Sequence, residues 1–213
     1  IIIRNSPVCR ILESAKSKIS ETLLTIEVLF KPCFLFSERL KHSAVVVTDS
    51  CRLATGTTTS ATNTRKVVLL EPALKFDTPS RVTFRIENLN NLIFVGICAK
   101  SIAVHQNKCE LGVIPNYLET KLNHGAYIMS WEGRLYSHSH ENVSDEREGF
   151  EFDTGDEITV EFDPVSFTLS YSKAKSKSIC VQPLLMEDLP EGDVYYCVGM
   201  KPSKGYEQIR ILS

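Results

Sequence analysis

Apolar and polar residues alternate strictly over Glu157–Phe162, where Ile158, Val160 and Phe162 interleave with Glu157, Thr159 and Glu161. A period of two predicts a strand with one buried face. Asp163-Pro164 stops it, because proline donates no ladder hydrogen bond. Phe167, Leu169 and Tyr171 then resume the alternation against Thr168 and Ser170, which predicts an antiparallel hairpin, with Gly155-Asp156 as the turn leading into it. Val82, Phe84 and Ile86 repeat the pattern against Thr83, Arg85 and Glu87. Ala44–Val47 is a β-branched run that predicts a first strand, and Lys66–Leu70 reads as a strand buried outright. Thr55–Thr64 holds a single alanine as its only apolar residue and predicts a surface loop. Short strands separated by turn signals about every 8–12 residues argue for an all-β sandwich.

The periodicity changes at the N-terminus. Val8, Ile11, Leu12, Ala15, Ile19, Leu23, Ile26 and Phe30 recur at helical spacing, with Ser6-Pro7 as a start and Lys31-Pro32 as a stop. The steps of four, three and four from Val8 to Ile19 also suit a coiled coil, so two readings stand: one amphipathic helix packed on the β-domain, or the end of a coiled coil. Phe34–Lys41 reads as a short helix or an extended connector. The predicted organisation is therefore 1–41, helix and connector, and 42–213, β-sandwich.

The stretch Gly149–Tyr171, GFEFDTGDEITVEFDPVSFTLSY, resembles the SPRY domain family in its glycine-aspartate, its alternating strand ending in aspartate, and its Phe-x-Leu-x-Tyr strand. Phe94–Cys98 is similar to the family's early hydrophobic-x-glycine strand, His124–Ile128 to its central tyrosine strand, and Tyr195–Met200 to its late tyrosine strand. The resemblance covers 82–212, and the order of these motifs is more specific than any one of them. It implies a mainly β fold, a bent antiparallel sandwich of concanavalin-like jelly-roll topology, here preceded by the N-terminal α-helix. It also implies a non-catalytic module whose loops at one end bind a peptide or folded protein. With the coiled-coil spacing and a first residue other than Met, the chain reads as the C-terminal part of a longer coiled-coil/SPRY protein.

Composition narrows the classes. The 213 residues are 43% hydrophobic and 23% charged, which is globular rather than disordered. A net charge of −2 gives no general attraction to phosphate backbones, so nucleic acid is disfavoured as a partner. Lys173, Lys175 and Lys177 are the one basic cluster, and they read as a solubilising hairpin tip. Seven cysteines without close pairs spell neither a disulfide framework nor a zinc site and suit an intracellular, reducing location. No apolar run approaches the ~20 residues that cross a bilayer.

Candidate chemistry is sparse. Glu151-x-Asp153 and Glu161-x-Asp163 each begin the carboxylate pattern of sandwich glycosidases, and neither completes it. His138 and His140 flank Ser139 and would share one face of a strand, but no residue type nearby specifies a third metal ligand, and no nucleophile elbow surrounds the serine. No enzyme, metal or cofactor is expected. Trp131-Glu132-Gly133-Arg134 reads as a tight hairpin turn with the only tryptophan at its start. Beyond Tyr136, the segment SHSHENVSDEREG is too polar to pack in a core. By resemblance, Trp131, Tyr136, His138, His140, Glu146 and Arg147 are the expected partner-binding residues, with Tyr117 after Pro115 as a second contact. The expected partner is a protein or peptide, in one version the substrate of a ubiquitin ligase. The alternatives are a constitutive scaffold subunit of a large assembly, joined or oligomerised through the coiled coil, and a lectin-like glycan binder. The last lacks the clustered aromatic platform and calcium-type carboxylates it needs.

Overall fold

A computed structural model describes residues 33–58, 65–105, 108–111, 125–137, 149–176, 178–184, 193–203 and 205–213. The chain divides into two units, Ile1–Pro32 and Cys33–Ser213. The predicted N-terminal helix and its coiled-coil alternative lie outside the described residues. Within the second unit the strands are β1 (Leu35–Lys41), β2 (Val45–Thr48), β3 (Leu53–Thr57), β4 (Arg65–Glu71), β5 (Ser80–Asn88), β6 (Ile93–Ala99), β7 (Val104–His105) and β8 (Lys108–Leu111). They continue as β9 (Ala126–Ser130), β10 (Leu135–Tyr136), β11 (Glu157–Asp163), β12 (Thr168–Lys173), β13 (Ser178–Pro183), β14 (Val194–Met200) and β15 (Tyr206–Ile211). A single helical turn, Lys100–Ala103, follows β6.

Every strand pair is antiparallel, in two sheets: β10-β9-β6-β14-β4-β8-β7 with β1 also on β4, and β13-β12-β11-β5-β15-β3-β2. The two kinds of apolar pattern sort between them. The strictly alternating strands β5, β11 and β12 sit together in the seven-stranded sheet, with Val82, Phe84, Ile86, Ile158, Val160, Phe162, Leu169 and Tyr171 turned into the inter-sheet core. The continuous runs β4, β6, β9 and β14 sit together in the eight-stranded sheet. There Val68, Val95, Tyr127 and Val198 enter the core, while Val67, Leu69, Phe94, Ile128 and Cys197 form a second buried cluster on the opposite face. A strand with both faces buried has no polar face to alternate with, which is why these segments are apolar throughout.

Three local expectations change. Phe34–Lys41 is no connector: Leu35–Lys41 pairs with β4, and Phe34 and Phe36 are core residues. Thr55–Thr57, read as the start of a loop, belongs to β3 and pairs with both β2 and β15. Hydroxyls and glycine give no apolar signal, yet Gly56 packs closely under Met200, where a Cβ would lie 3.1 Å from that of the methionine. Finally, Lys173 is the last residue of β12 rather than a hairpin tip; its Nζ ion-pairs with Asp156 at 2.7 Å.

Two tyrosines bolt the sheets together. Tyr196 Oη on β14 donates to the Ser80 carbonyl on β5 at 2.8 Å, and Tyr171 Oη on β12 donates to the Tyr127 carbonyl on β9 at 3.3 Å. Burial pushes the Tyr171 phenol well above its ordinary range, so it stays a donor. Each bond satisfies a polar group inside an otherwise apolar layer.

Candidate functional site

The end of the sandwich predicted to bind is built on the turn between β9 and β10. Gly133 takes φ +78°, a left-handed conformation that suits glycine, and its N–H donates to the Ser130 carbonyl at 2.9 Å. The Ser130 N–H donates to the Arg134 carbonyl at 2.9 Å and closes the turn. Trp131 N–H donates to the Ile93 carbonyl at 3.0 Å, anchoring the turn to β6. The indole is half-buried and packs on the main core alongside Leu135 and Phe150. Part of it is thus committed to the fold.

The long polar segment leaves this frame after Ser137 and returns at Gly149. Both stems are pinned. On the outgoing side, Gln182 on β13 donates from Nε2 to the Tyr136 carbonyl at 3.1 Å and accepts from Tyr171 Oη at 3.2 Å. On the returning side, Gly149 N–H donates to the Gly133 carbonyl at 2.9 Å and Phe152 N–H to the Trp131 carbonyl at 3.0 Å. The two glycines must touch, since a Cβ on Gly149 would stand 2.8 Å from the Gly133 carbonyl oxygen. Lys173 extends the clamp by donating to the Glu151 carbonyl at 3.1 Å while paired with Asp156. Burial pushes the Asp156 carboxyl up, but its bonds from Lys173 and the Asp153 N–H outweigh that and hold it below its ordinary value.

Of the predicted contact residues, the structure describes two, Trp131 and Tyr136, and brings them to the same turn. Tyr117, His138, His140, Glu146 and Arg147 lie outside the described residues. Tyr136 is only 9% exposed and packs in the second apolar cluster, so its ring serves the fold beside its main-chain role at the stem. Sequence reasoning placed it at a loop edge because its downstream neighbours are polar; nothing there reveals that this face of the sheet is also buried. Gln182 and the Gly133–Gly149 approach were missed for a similar reason. A glutamine alternating with valine on an edge strand looks like an ordinary surface residue.

The two aspartates of the incomplete carboxylate patterns, Asp153 and Asp163, close turns. Asp163 accepts from the Val165 N–H at 2.9 Å and from Ser166 Oγ at 2.6 Å, and Asp153 accepts from the Thr154 N–H at 2.6 Å. Among the described residues no group of three or more His, Cys, Asp or Glu could hold a metal ion. No helix among them is long and apolar enough to cross a membrane.

No protein-family model and no curated protein sequence matches the chain. Solved structures do. The chain is similar to the SPRY domain of human HERC1 at 17% identity and TM-score 0.54, over 83% of this chain and 96% of that one. It is similar to a human SPRY domain at 15% identity and TM-score 0.52, over 84% and 96% of the two chains. It is also similar to the TRIM65 PSpry domain at 8% identity and TM-score 0.57, over 90% and 99%. The fold is thus a SPRY-like β-sandwich, as the motif order implied.

Proposed function

We propose that this chain is a non-catalytic protein-interaction module that grips a peptide or a folded protein at the end of the sandwich carrying the Trp131–Arg134 turn and the segment 137–149. The observation that carries the reading is the pinning of both stems of a long, charged segment. A surface loop that merely connects two strands needs no such frame, whereas a binding loop gains affinity when its ends are ordered in advance. Glu146 and Arg147 set charge selectivity in this reading, and the exposed part of Trp131 supplies apolar area. Free cysteines among the described residues, Cys98 and Cys197 buried, support a reducing, intracellular setting. The narrower role of substrate receptor in a ubiquitin ligase rests on the coiled-coil spacing from Val8 to Ile19 and on the SPRY-like fold.

The test is partner capture from cell lysate with the natural chain and with a Glu146→Lys, Arg147→Glu variant, compared by mass spectrometry. Tyr136 is left intact because its burial would confound folding with binding. Loss of one protein or complex with an unchanged melting temperature supports the reading. Identical capture by both chains removes the loop as the site.

A further inference from the structure

Glu207 shares the inward face of β15 with Ile209 and Ile211, and like them it is buried. A carboxyl in that position is cut off from water and depends on donors from the protein. Three main-chain N–H groups supply them. Asn91 and Leu92, in the β5–β6 connection, both donate to Oε1, and Lys201, the residue after β14, donates to Oε2 at 2.7 Å. The Lys201 N–H also donates to the Leu92 carbonyl at 2.9 Å, so Leu92 is held through both of its main-chain groups. The next residue reaches the Trp131 turn. Ile93 opens β6, and its carbonyl accepts the Trp131 N–H at 3.0 Å, while the Trp131 carbonyl accepts from Phe152 on the returning stem. A run of main-chain bonds therefore leads from the Glu207 carboxyl through Leu92 and Ile93 to the turn.

We propose that Glu207 is a positioning residue for the Trp131–Arg134 turn, and that the ionisation state of its carboxyl sets how firmly the turn is held. The proposal rests on the reading of that turn as part of the partner-binding end and adds regulation of the same end by pH. The ionised group is an acceptor only, and Oε1 already receives two N–H groups, one for each lone pair, so a proton enters on Oε2. Oε2 then becomes a hydroxyl and a poorer acceptor for the Lys201 N–H. The bonds from Asn91 and Leu92 lose at the same time the charge assistance that makes such bonds roughly twice as strong as neutral ones. Leu92 is released in part, and Ile93 and Trp131 with it.

Opposed effects bring the proton's uptake into the neutral range. Burial favours the neutral acid, the three N–H donors and the Lys66 ammonium favour the carboxylate, and the balance lies at about 7. Among the described residues Lys66 on β4 is the charged side chain that faces the carboxyl; burial lowers its own pKa, Glu207 raises it, and its Nζ donates to the Thr57 carbonyl. β3 presents Gly56 opposite Glu207, and the β5–β6 and β14–β15 turns present main-chain N–H groups. The turn is therefore held above pH 7 and loosens as pH falls through it, and partner binding at this end weakens over the same range.

Trp131 is the only tryptophan of the chain, so its fluorescence reports on the turn without a partner. The measurement is acrylamide quenching between about pH 5.5 and 8.5. The quenching constant of the natural chain should fall about twofold as pH rises, as a locally open turn closes, with its midpoint near 7. Glu207→Gln is neutral at every pH and should keep the constant at its acid-side value throughout. Should that variant fold poorly, amide NMR of the natural chain carries the test: the N–H signals of Asn91, Leu92 and Lys201 should shift together, with the midpoint of the Trp131 quenching. A Trp131 transition that persists in Glu207→Gln overturns the proposal, because another group then drives it. So does a Trp131 signal that stays flat while the three amides titrate, or the absence of any titration of those amides in this range. Neither readout involves a partner, so a failed titration removes the coupling alone, whereas identical capture by the Glu146→Lys, Arg147→Glu variant removes the loop as the binding site and leaves the coupling standing.

Discussion

Glu207 on β15 is completely buried. Its Oε1 accepts from the N–H groups of Asn91 and Leu92, at 3.0 and 2.5 Å, and its Oε2 accepts from that of Lys201 at 2.7 Å, so one side chain ties together the β5–β6 and β14–β15 turns. Lys66 on β4, also buried, supplies the nearest positive charge, and its own Nζ donates to the Thr57 carbonyl. Burial pushes the carboxyl up; the three N–H donors and Lys66 pull it down; the balance raises it from 4.5 to about 7. In the unfolded chain the group ionises near 4.5, whereas the folded protein holds its proton until about 7. Between those values the folded state binds more protons, so its stability falls as pH rises and is flat on either side. The total is on the order of 3 kcal/mol. Glu207→Gln removes the titration. It also turns an amide N–H towards a backbone donor, leaving one buried N–H unpaired at a cost of about 1–3 kcal/mol. Urea unfolding of both proteins from pH 4 to 8 is the assay. The natural chain should be more stable than the variant at pH 4.5, and the gap should close or reverse by pH 8. A gap that is constant, or that widens with pH, would show that the three N–H groups and Lys66 outweigh burial and keep the carboxylate ionised, which refutes the reasoning.

Two further outcomes follow from local geometry. Gly149→Ala should destabilise by about 1–3 kcal/mol in urea unfolding, because its Cβ meets the Gly133 carbonyl oxygen at 2.8 Å and Met129 Sδ at 2.9 Å, and partner capture through the neighbouring segment should weaken with it. Ser50→Gly should stabilise by roughly 0.5–1 kcal/mol, since Asp49, Ser50 and Cys51 all take φ between 52° and 64°, Ser50 is exposed, and the relief of left-handed strain exceeds the added freedom of the unfolded chain. No gain in melting temperature would mean that this turn carries no such strain.

Much of the sandwich was legible along the chain. The alternation in Val82–Ile86, Ile158–Phe162 and Leu169–Tyr171 determined both the strands and the face each would bury, because a period of two leaves only one apolar side. The Trp131–Arg134 turn was legible for a local reason too: Gly133 accepts a left-handed φ that its neighbours would resist. Where alternation fails, the chain states strand but not face. Val67–Leu70, Ile93–Ala99 and Val194–Met200 are apolar at nearly every position, and only pairing placed them side by side in a sheet buried on both faces. That second buried face captured Tyr136, which by its neighbours belonged to a polar loop. The tertiary structure alone also joined Gln182 to the Tyr136 carbonyl and Glu207 to Asn91, Leu92 and Lys201, across separations of 46 and of 116, 115 and 6 residues. Periodicity carries information about one residue's neighbours within a few positions. The register of strands far apart in the chain is decided by which of many pairings buries the most apolar surface while leaving every buried donor and acceptor matched, and that sum exists only once the whole sandwich is assembled.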